Sequence, residues 1–162
     1  MVDDSSVKVA SFKALFENMI FLSTLLSLCG AQVLKGVIYI LSGRKKKKRE
    51  LVEIFIWRTG GMPSSHAAVV SSLCTSIAFI EGIASNLFVF SFWFALVVLR
   101  DAMGVRRSTG LLSKGLNNLG RQVAEKTGLD FHPVKEIQGH TPLEVVIGGL
   151  LGIFITAGLH LF

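Results

Sequence analysis

LEVVIGGLLGIFITAGLHLF, residues 143–162, is the stretch of sequence that decides the fold. Its only formally charged residue is Glu144, near its start. A helix needs about 20 mainly apolar residues to cross the roughly 30 Å hydrocarbon core of a bilayer. This stretch has that length, and we expect it to span a membrane. The whole chain has a matching composition: 51% of its 162 residues are hydrophobic and 17% are charged, against about 25% charged residues in soluble proteins.

Three further segments are apolar enough to be spans, namely residues 18–41, 67–80 and 87–99. The first reaches the length that a bilayer requires, whereas the other two are short. They either extend into their flanks, towards Glu81 at one surface and Arg100 at the other, or form a shorter paired hairpin. We therefore predict an all-α fold. It is a polytopic membrane helix bundle of about four transmembrane helices with a helical connection, and residues 1–162 form a single domain.

Lysine and arginine counts orient this bundle in the membrane. The connection 42–66 carries seven of these residues and the connection 104–142 carries six, and such an excess marks the cytoplasmic side of membrane proteins. Because two spans separate the connections, both fall on one face. We expect both of them to be cytoplasmic, and one of them to provide the helical connection. The N-terminal segment 1–17 and the C-terminus are then expected outside.

A run of six cations, RKKKKR at residues 44–49, accounts for much of the net charge of +6. Beside a membrane span such a run attracts anionic lipid head groups, which we predict as its partner. Nucleic acid is not a predicted partner, because no aromatic platform or recognition motif accompanies the run. Cys29 and Cys74 lie in apolar segments and are interpreted as small apolar residues rather than metal ligands.

The predicted topology gathers polar residues at one membrane surface. They are Ser64, Ser65 and His66 at the start of span two, Arg106 and Arg107 after span three, and His140 and Glu144 at the start of span four. Lys35 lies within span one, about two turns from the same end. Ionisable residues inside a membrane usually face the bundle interior and mark a functional site.

Two of these motifs have both a phosphate-binding and a structural interpretation. GGMPSSHAA at residues 60–68 is a glycine-bearing turn that enters a helix, where backbone amides and serine hydroxyls favour a phosphate. Ser64 or Ser65 could equally be only an N-cap. Arg106 and Arg107 could bind the same phosphate or simply form an anchoring cationic pair at a helix end.

The third motif, GHTPLE at residues 139–144, also has two interpretations. Thr141 as N-cap, Pro142 at the first helical position and Glu144 three residues after the cap form a capping box. Glu144 also follows His140 by one helical turn, so its carboxylate could orient the imidazole and raise its basicity. A histidine supported in this way serves as a nucleophile or a general base.

In their order, GGMPSSHA, DAMGVRR and GHTPLEV resemble the divergent branch of the type-2 phosphatidate phosphatase family, relatives of bacterial acid phosphatases and vanadium haloperoxidases. The resemblance implies that His66 protonates the leaving oxygen, that His140 attacks phosphorus and that Glu144 orients His140. It also implies that a second group of residues binds the phosphoryl oxygens. These are Lys35, Ser64, Ser65, Arg106 and Arg107.

The chain also departs from the wider family's pattern. Ser65 replaces a glycine, Glu144 replaces an aspartate, and Val134 stands where an arginine is found six residues before the nucleophile. The family's lysine followed at a fixed distance by Arg-Pro is absent, and Lys35 with either Arg106 or Arg107 could stand in for it. The cations that could contact the phosphate are Lys35, Arg58, Arg106 and Arg107.

The function expected from these features is a membrane phosphatase that hydrolyses a lipid phosphate or diphosphate at the cytoplasmic face through a phosphohistidine. It would be a metal-independent, acid-phosphatase-like phosphoric monoester hydrolase with no cofactor. The alternative is a non-catalytic membrane protein that binds anionic lipid head groups or scaffolds another enzyme. The altered motifs favour the alternative, whereas the survival of both histidines with an acidic partner favours the enzyme.

Overall fold

The computed structural model describes residues 13–42, 61–136 and 139–162, and all regular secondary structure in these ranges is α-helical. After a short helical stretch at residues 13–17, five helices follow. They are α1 (Met19–Leu41), α2 (Ser65–Glu81), α3 (Asn86–Met103), α4 (Val105–Thr127) and α5 (Pro142–Leu161). The predicted all-α bundle is confirmed.

Local chemistry explains where these helices begin. The side chains of Asn18, Ser64, Ser85 and Thr141 accept hydrogen bonds from backbone amides in the first turns of α1, α2, α3 and α5, and such caps satisfy amides that have no partner within the helix. Gly82 ends α2 with a φ of 82°, a conformation that glycine adopts readily.

Three stretches are long and apolar enough to cross a membrane: Met19–Leu41, Asn86–Thr127 and Pro142–Leu161. The second of them begins with α3 and continues through α4. Helix α2 is shorter, with 17 residues, or about 25 Å at 1.5 Å per residue. Both short predicted spans extend into their flanks as expected, since α2 reaches Glu81 and α3 reaches Met103.

Helix α2 is the centre of the bundle and packs against α1, α3 and α5. Its buried positions are mostly small, including Ala67, Ala68, Ser72 and Ser76. Because neighbouring helices cover it, α2 needs fewer large apolar residues than a helix that faces lipid. Its buried hydroxyls are paired across the bundle: Ser72 Oγ lies 2.7 Å from Thr156 Oγ1 and Ser76 Oγ lies 2.8 Å from His160 Nε2.

Helices α2 and α5 run parallel, in a register that repeats every four residues. The pairs are Ser64 with Gly148, Ala68 with Gly152, Ser72 with Thr156 and Ser76 with His160. A Cβ atom added at Gly148 or Gly152 would overlap the carbonyl oxygen of its partner on α2. Small residues four apart allow two membrane helices to approach this closely, and the approach brings the starts of α2 and α5 together.

Replacing Gly148 with alanine should therefore destabilise the bundle. The new methyl group would press on backbone atoms of Ser64, which cannot rotate away, and such overpacking costs about 1–3 kcal/mol. Thermal unfolding of the purified protein in detergent would measure the loss. Gly158→Ala is the matched control, because no atom lies within 4 Å of its added Cβ, and it should keep or raise the melting temperature. Equal melting temperatures for the two variants would contradict the close α2–α5 contact.

Helix α4 provides the predicted helical connection. It begins after Gly104 and ends at Gly128, whose φ of 71° is left-handed. The chain then returns along α4, held by Asn117, which exchanges hydrogen bonds of 2.9 Å with both the N–H and the carbonyl of Val134. The ring of Phe131 covers Gly120 on the same helix. This return leads the chain back to α5.

Candidate functional site

The candidate site lies where α2 and α5 begin and α3 ends. The amide of Ser64, just before α2, donates a 2.9 Å hydrogen bond to the carbonyl of Glu144 in the first turn of α5. The amide of His140 donates a 3.2 Å bond to the carbonyl of Ala102 in the last turn of α3. Backbone hydrogen bonds thus hold together the start of α2, the start of α5 and the end of α3, which are distant in sequence.

His140 is a buried residue with only 2% of its surface exposed. Its Nδ1 lies 3.2 Å from Oε2 of Glu144. With the carboxylate ionised, Nδ1–H donates to it, and this tautomer places the lone pair of the neutral ring on Nε2. The structure therefore contains the histidine–carboxylate pair that the sequence suggested.

Glu144 makes the contacts that both of its interpretations require. The capping box is complete, because the amide of Glu144 donates to Thr141 Oγ1 at 3.4 Å and the amide of Thr141 donates to Glu144 Oε2 at 3.0 Å. The same oxygen, Oε2, accepts from His140. The cap consequently holds the carboxylate in the position from which it orients the imidazole.

His66 lies near this pair, at the second position of α2. Its ring centroid is 6.1 Å from that of His140, and the two ring planes are inclined by 61°. This separation leaves the two imidazoles close enough to act on one small group.

Ser64 and Ser65 are both buried at the start of α2. The Oγ of Ser64 accepts from the amide of Ala67 at 3.4 Å, so this serine is the N-cap of the helix. The helix start that the phosphate interpretation requires is therefore present, with the positive end of the α2 macrodipole beside His66.

Lys35 reaches the same region from α1 and is 5% exposed. Its side chain lies against the turn before α2, where a Cβ on Gly61 would be 4.0 Å from Lys35 Cγ and Cδ. Gly61 has a φ of 89°, which disfavours any residue with a side chain at this close approach. Lys35 is thus a buried cation in a membrane helix, against the turn that leads into α2, and ionisable residues in such positions usually mark a functional site.

Arg106 and Arg107 lie in the first turn of α4, within five residues of Ala102. Their place just past α3 agrees with the sequence prediction. The favourable helix-dipole interaction of the anchoring interpretation does not hold for α4, because cations in a first turn meet the positive end of the dipole. The side chain of Arg107 is exposed. Arg58 and the run 44–49 lie outside the described residues.

Two features of the site were missed by sequence reasoning. The spacing of Gly148 and Gly152 is a small-x-x-x-small pattern and could have predicted the close packing of α5 on a neighbour. The carbonyl of Ala102, which binds the His140 amide, carries no sequence signal, since every residue has a carbonyl group.

Comparison with known proteins gives two matches. The family model described as the divergent PAP2 family matches residues 16–155. YuiD of Bacillus subtilis (strain 168), described as an uncharacterized membrane protein, is 38% identical over 161 residues, covering 91% of this chain and 98% of the relative. No solved structure matches significantly. With its apolar helices and this relative, the chain is an integral membrane protein.

Proposed function

Because the chain belongs to the divergent PAP2 family, we propose that it is a membrane phosphatase that hydrolyses a lipid phosphate or diphosphate through a phosphohistidine. One observation carries the proposal: buried His140 bonds through Nδ1 to Glu144 and lies 6.1 Å, ring to ring, from His66. A nucleophile oriented by a carboxylate, with a second imidazole close to it, supplies the parts that phosphoryl transfer through a covalent intermediate requires.

In the first step, Nε2 of His140 attacks phosphorus with its lone pair. A P–N bond forms, the P–O bond to the lipid breaks, and protonated His66 gives its proton to the leaving oxygen. The lipid departs as an alcohol from a monophosphate or as a monophosphate from a diphosphate. Glu144 stabilises the positive charge that develops on the His140 ring, as the carboxylate does in a catalytic triad.

In the second step, water hydrolyses the phosphohistidine. Neutral His66 takes a proton from the water as its oxygen attacks phosphorus, the P–N bond breaks, and inorganic phosphate leaves. Both histidines return to their starting protonation states. Positioning and cationic stabilisation of the phosphoryl oxygens supply most of the rate enhancement in such a reaction, with Lys35, Ser64, Ser65, Arg106 and Arg107 as the proposed donors.

A lipid substrate follows from the position of the site. His66 and His140 lie where α2 and α5 begin, and the ends of membrane-spanning helices lie near the lipid head groups. A phosphate carried on a lipid can therefore reach the histidines while its acyl chains stay in the bilayer.

Phosphate release by the purified protein in detergent tests this proposal. A panel of lipid monophosphates and diphosphates should include at least one substrate, and an added chelator should leave the rate unchanged because no metal takes part. The non-catalytic alternative predicts retained binding of anionic lipids with no phosphate release. Loss of all release on chelation would contradict the metal-independent mechanism.

The proposal includes sidedness, which rests on the seven and six cations of the connections 42–66 and 104–142. A reporter fused after Phe162 should be external, and one inserted at Lys46 should be cytoplasmic. Protease protection in sealed vesicles would check both positions. A cytoplasmic reporter after Phe162 would contradict the placement of both termini outside and would move the site to the opposite face.

A further inference from the structure

Helix α4 carries a stripe of apolar side chains that no described part of the chain covers. The stripe comprises Val105, Leu112, Leu116, Leu119 and Val123, which are 65%, 73%, 51%, 60% and 42% exposed. At about 100° per residue these five positions fall within a sector of about 60°. This is one narrow face of a helix 23 residues long, rather than a scatter of single exposed residues.

The other faces of α4 have different surroundings. Asn117 and Gly120 hold the returning chain through Val134 and Phe131. Arg107, Lys114 and Arg121 recur every seven residues on the side opposite the stripe and are exposed. The helix therefore has a packed face, a basic face and an apolar face, and the apolar face is where α4 exposes most of its apolar side chains.

The position of α4 in the chain indicates what covers the stripe. Gly104 alone separates α4 from α3, and its ψ of −83° departs from the helical value of about −42°. Helix α4 therefore starts where α3 reaches the membrane surface, with a break in the helix at that point. A helix that lies in this surface can place an apolar stripe among the acyl chains and keep its charged side chains at head-group level.

The charge of α4 favours an anionic leaflet. The helix carries five cations (Arg106, Arg107, Lys114, Arg121 and Lys126) and one acidic residue (Glu125), a net charge of +4. Basic residues near an anionic membrane surface are attracted to it. A partner helix from a second copy would match the apolar stripe but would place two basic helices side by side.

We propose that α4 is an interfacial helix, lying in the plane of an anionic membrane surface with the stripe inserted into the bilayer. This placement is independent of the proposed phosphatase activity. It also has a consequence for the site. His140 is bonded to Ala102, three residues before α4, so an interfacial α4 would hold the site at head-group depth.

Site-directed spin labelling of the full chain in vesicles tests the proposal. In a background in which Cys29 and Cys74 are replaced by serine, the single variants Leu112→Cys and Leu119→Cys report the stripe. The single variants Lys114→Cys and Arg121→Cys report the basic face. All four positions are exposed, so the labels do not disturb packing. In vesicles containing phosphatidylglycerol, the accessibility of the label to oxygen relative to a water-soluble nickel complex should be several-fold higher at 112 and 119 than at 114 and 121.

Two results would overturn the proposal. Equal accessibility to the nickel complex at all four positions would place α4 in water. Spin–spin broadening confined to 112 and 119, removed by dilution with unlabelled protein, would show that a second copy covers the stripe. Replacing phosphatidylglycerol with phosphatidylcholine should move the labels at 112 and 119 towards water, and an unchanged depth would contradict the electrostatic part of the proposal.

Discussion

His140→Ala should abolish phosphate release and leave no acid-labile phosphate on the protein. The variant lacks the nitrogen that attacks phosphorus, and removal of a catalytic nucleophile lowers turnover by about 10³-fold or more. Radiolabelled substrate followed by a rapid quench would detect the phosphohistidine in the native protein and its absence in the variant. Because His140 is buried and bonded to Ala102 through its backbone, that anchoring hydrogen bond survives the substitution.

A matched control comes from His132, whose side chain is 90% exposed and faces Asp130. His132→Ala removes an imidazole of the same chain without touching the site, and it should keep native turnover and native phosphoenzyme levels. Near-normal turnover in His140→Ala would show that another group attacks phosphorus, and the proposed roles of His66 and Glu144 would then fail with it.

Glu144→Gln should separate the charge of this side chain from its hydrogen bonding. Oε2 accepts from both the Thr141 amide and His140 Nδ1, and a glutamine carbonyl can accept the same bonds. The fold should therefore keep its melting temperature. The negative charge that stabilises the developing imidazolium is lost, and an equivalent change in a serine protease triad lowers turnover by about 10⁴-fold.

Thr141→Ala is the reciprocal variant. It removes the hydroxyl that accepts from the Glu144 amide and should cost about 0.5–2 kcal/mol of stability, as the loss of an N-cap does. Glu144 retains its charge and its bond to His140, so turnover measured below the melting temperature should stay within a few-fold of native. Full activity in Glu144→Gln would show that Glu144 acts only as part of the helix cap. Together with a missing phosphoenzyme, that result would favour the lipid-binding alternative.

Much of the fold follows from local signals in the sequence. The lengths of α1 and α5 follow from two long apolar runs, and the start of α5 follows from the Thr141–Glu144 capping box, both halves of which form. These predictions succeeded because helix length in a bilayer and hydrogen bonding at a helix start depend on residues that are close in sequence.

The central position of α2 could not be read from its composition. Its apolar run is short and rich in serine and alanine, which resembles a marginal span when the sequence is considered alone. In the structure α2 is covered by α1, α3 and α5, and small residues are what close helix packing requires. Which helix occupies the centre depends on the fit of all the helices, and a local pattern does not contain that information.

The sequence by itself determined the helical membrane class, the capping box of α5 and the candidate residues His66, His140 and Glu144, because each rests on composition or on short spacings. Only the tertiary structure decided that Glu144 uses one oxygen for both the cap and His140, that His66 faces His140, and that Gly148 lies against Ser64. Those relations join residues as many as 84 positions apart. The contacts of His66 with His140 and of Gly148 with Ser64 form because glycines on α5 let the parallel helices α2 and α5 approach closely, and that approach is a property of the packed bundle.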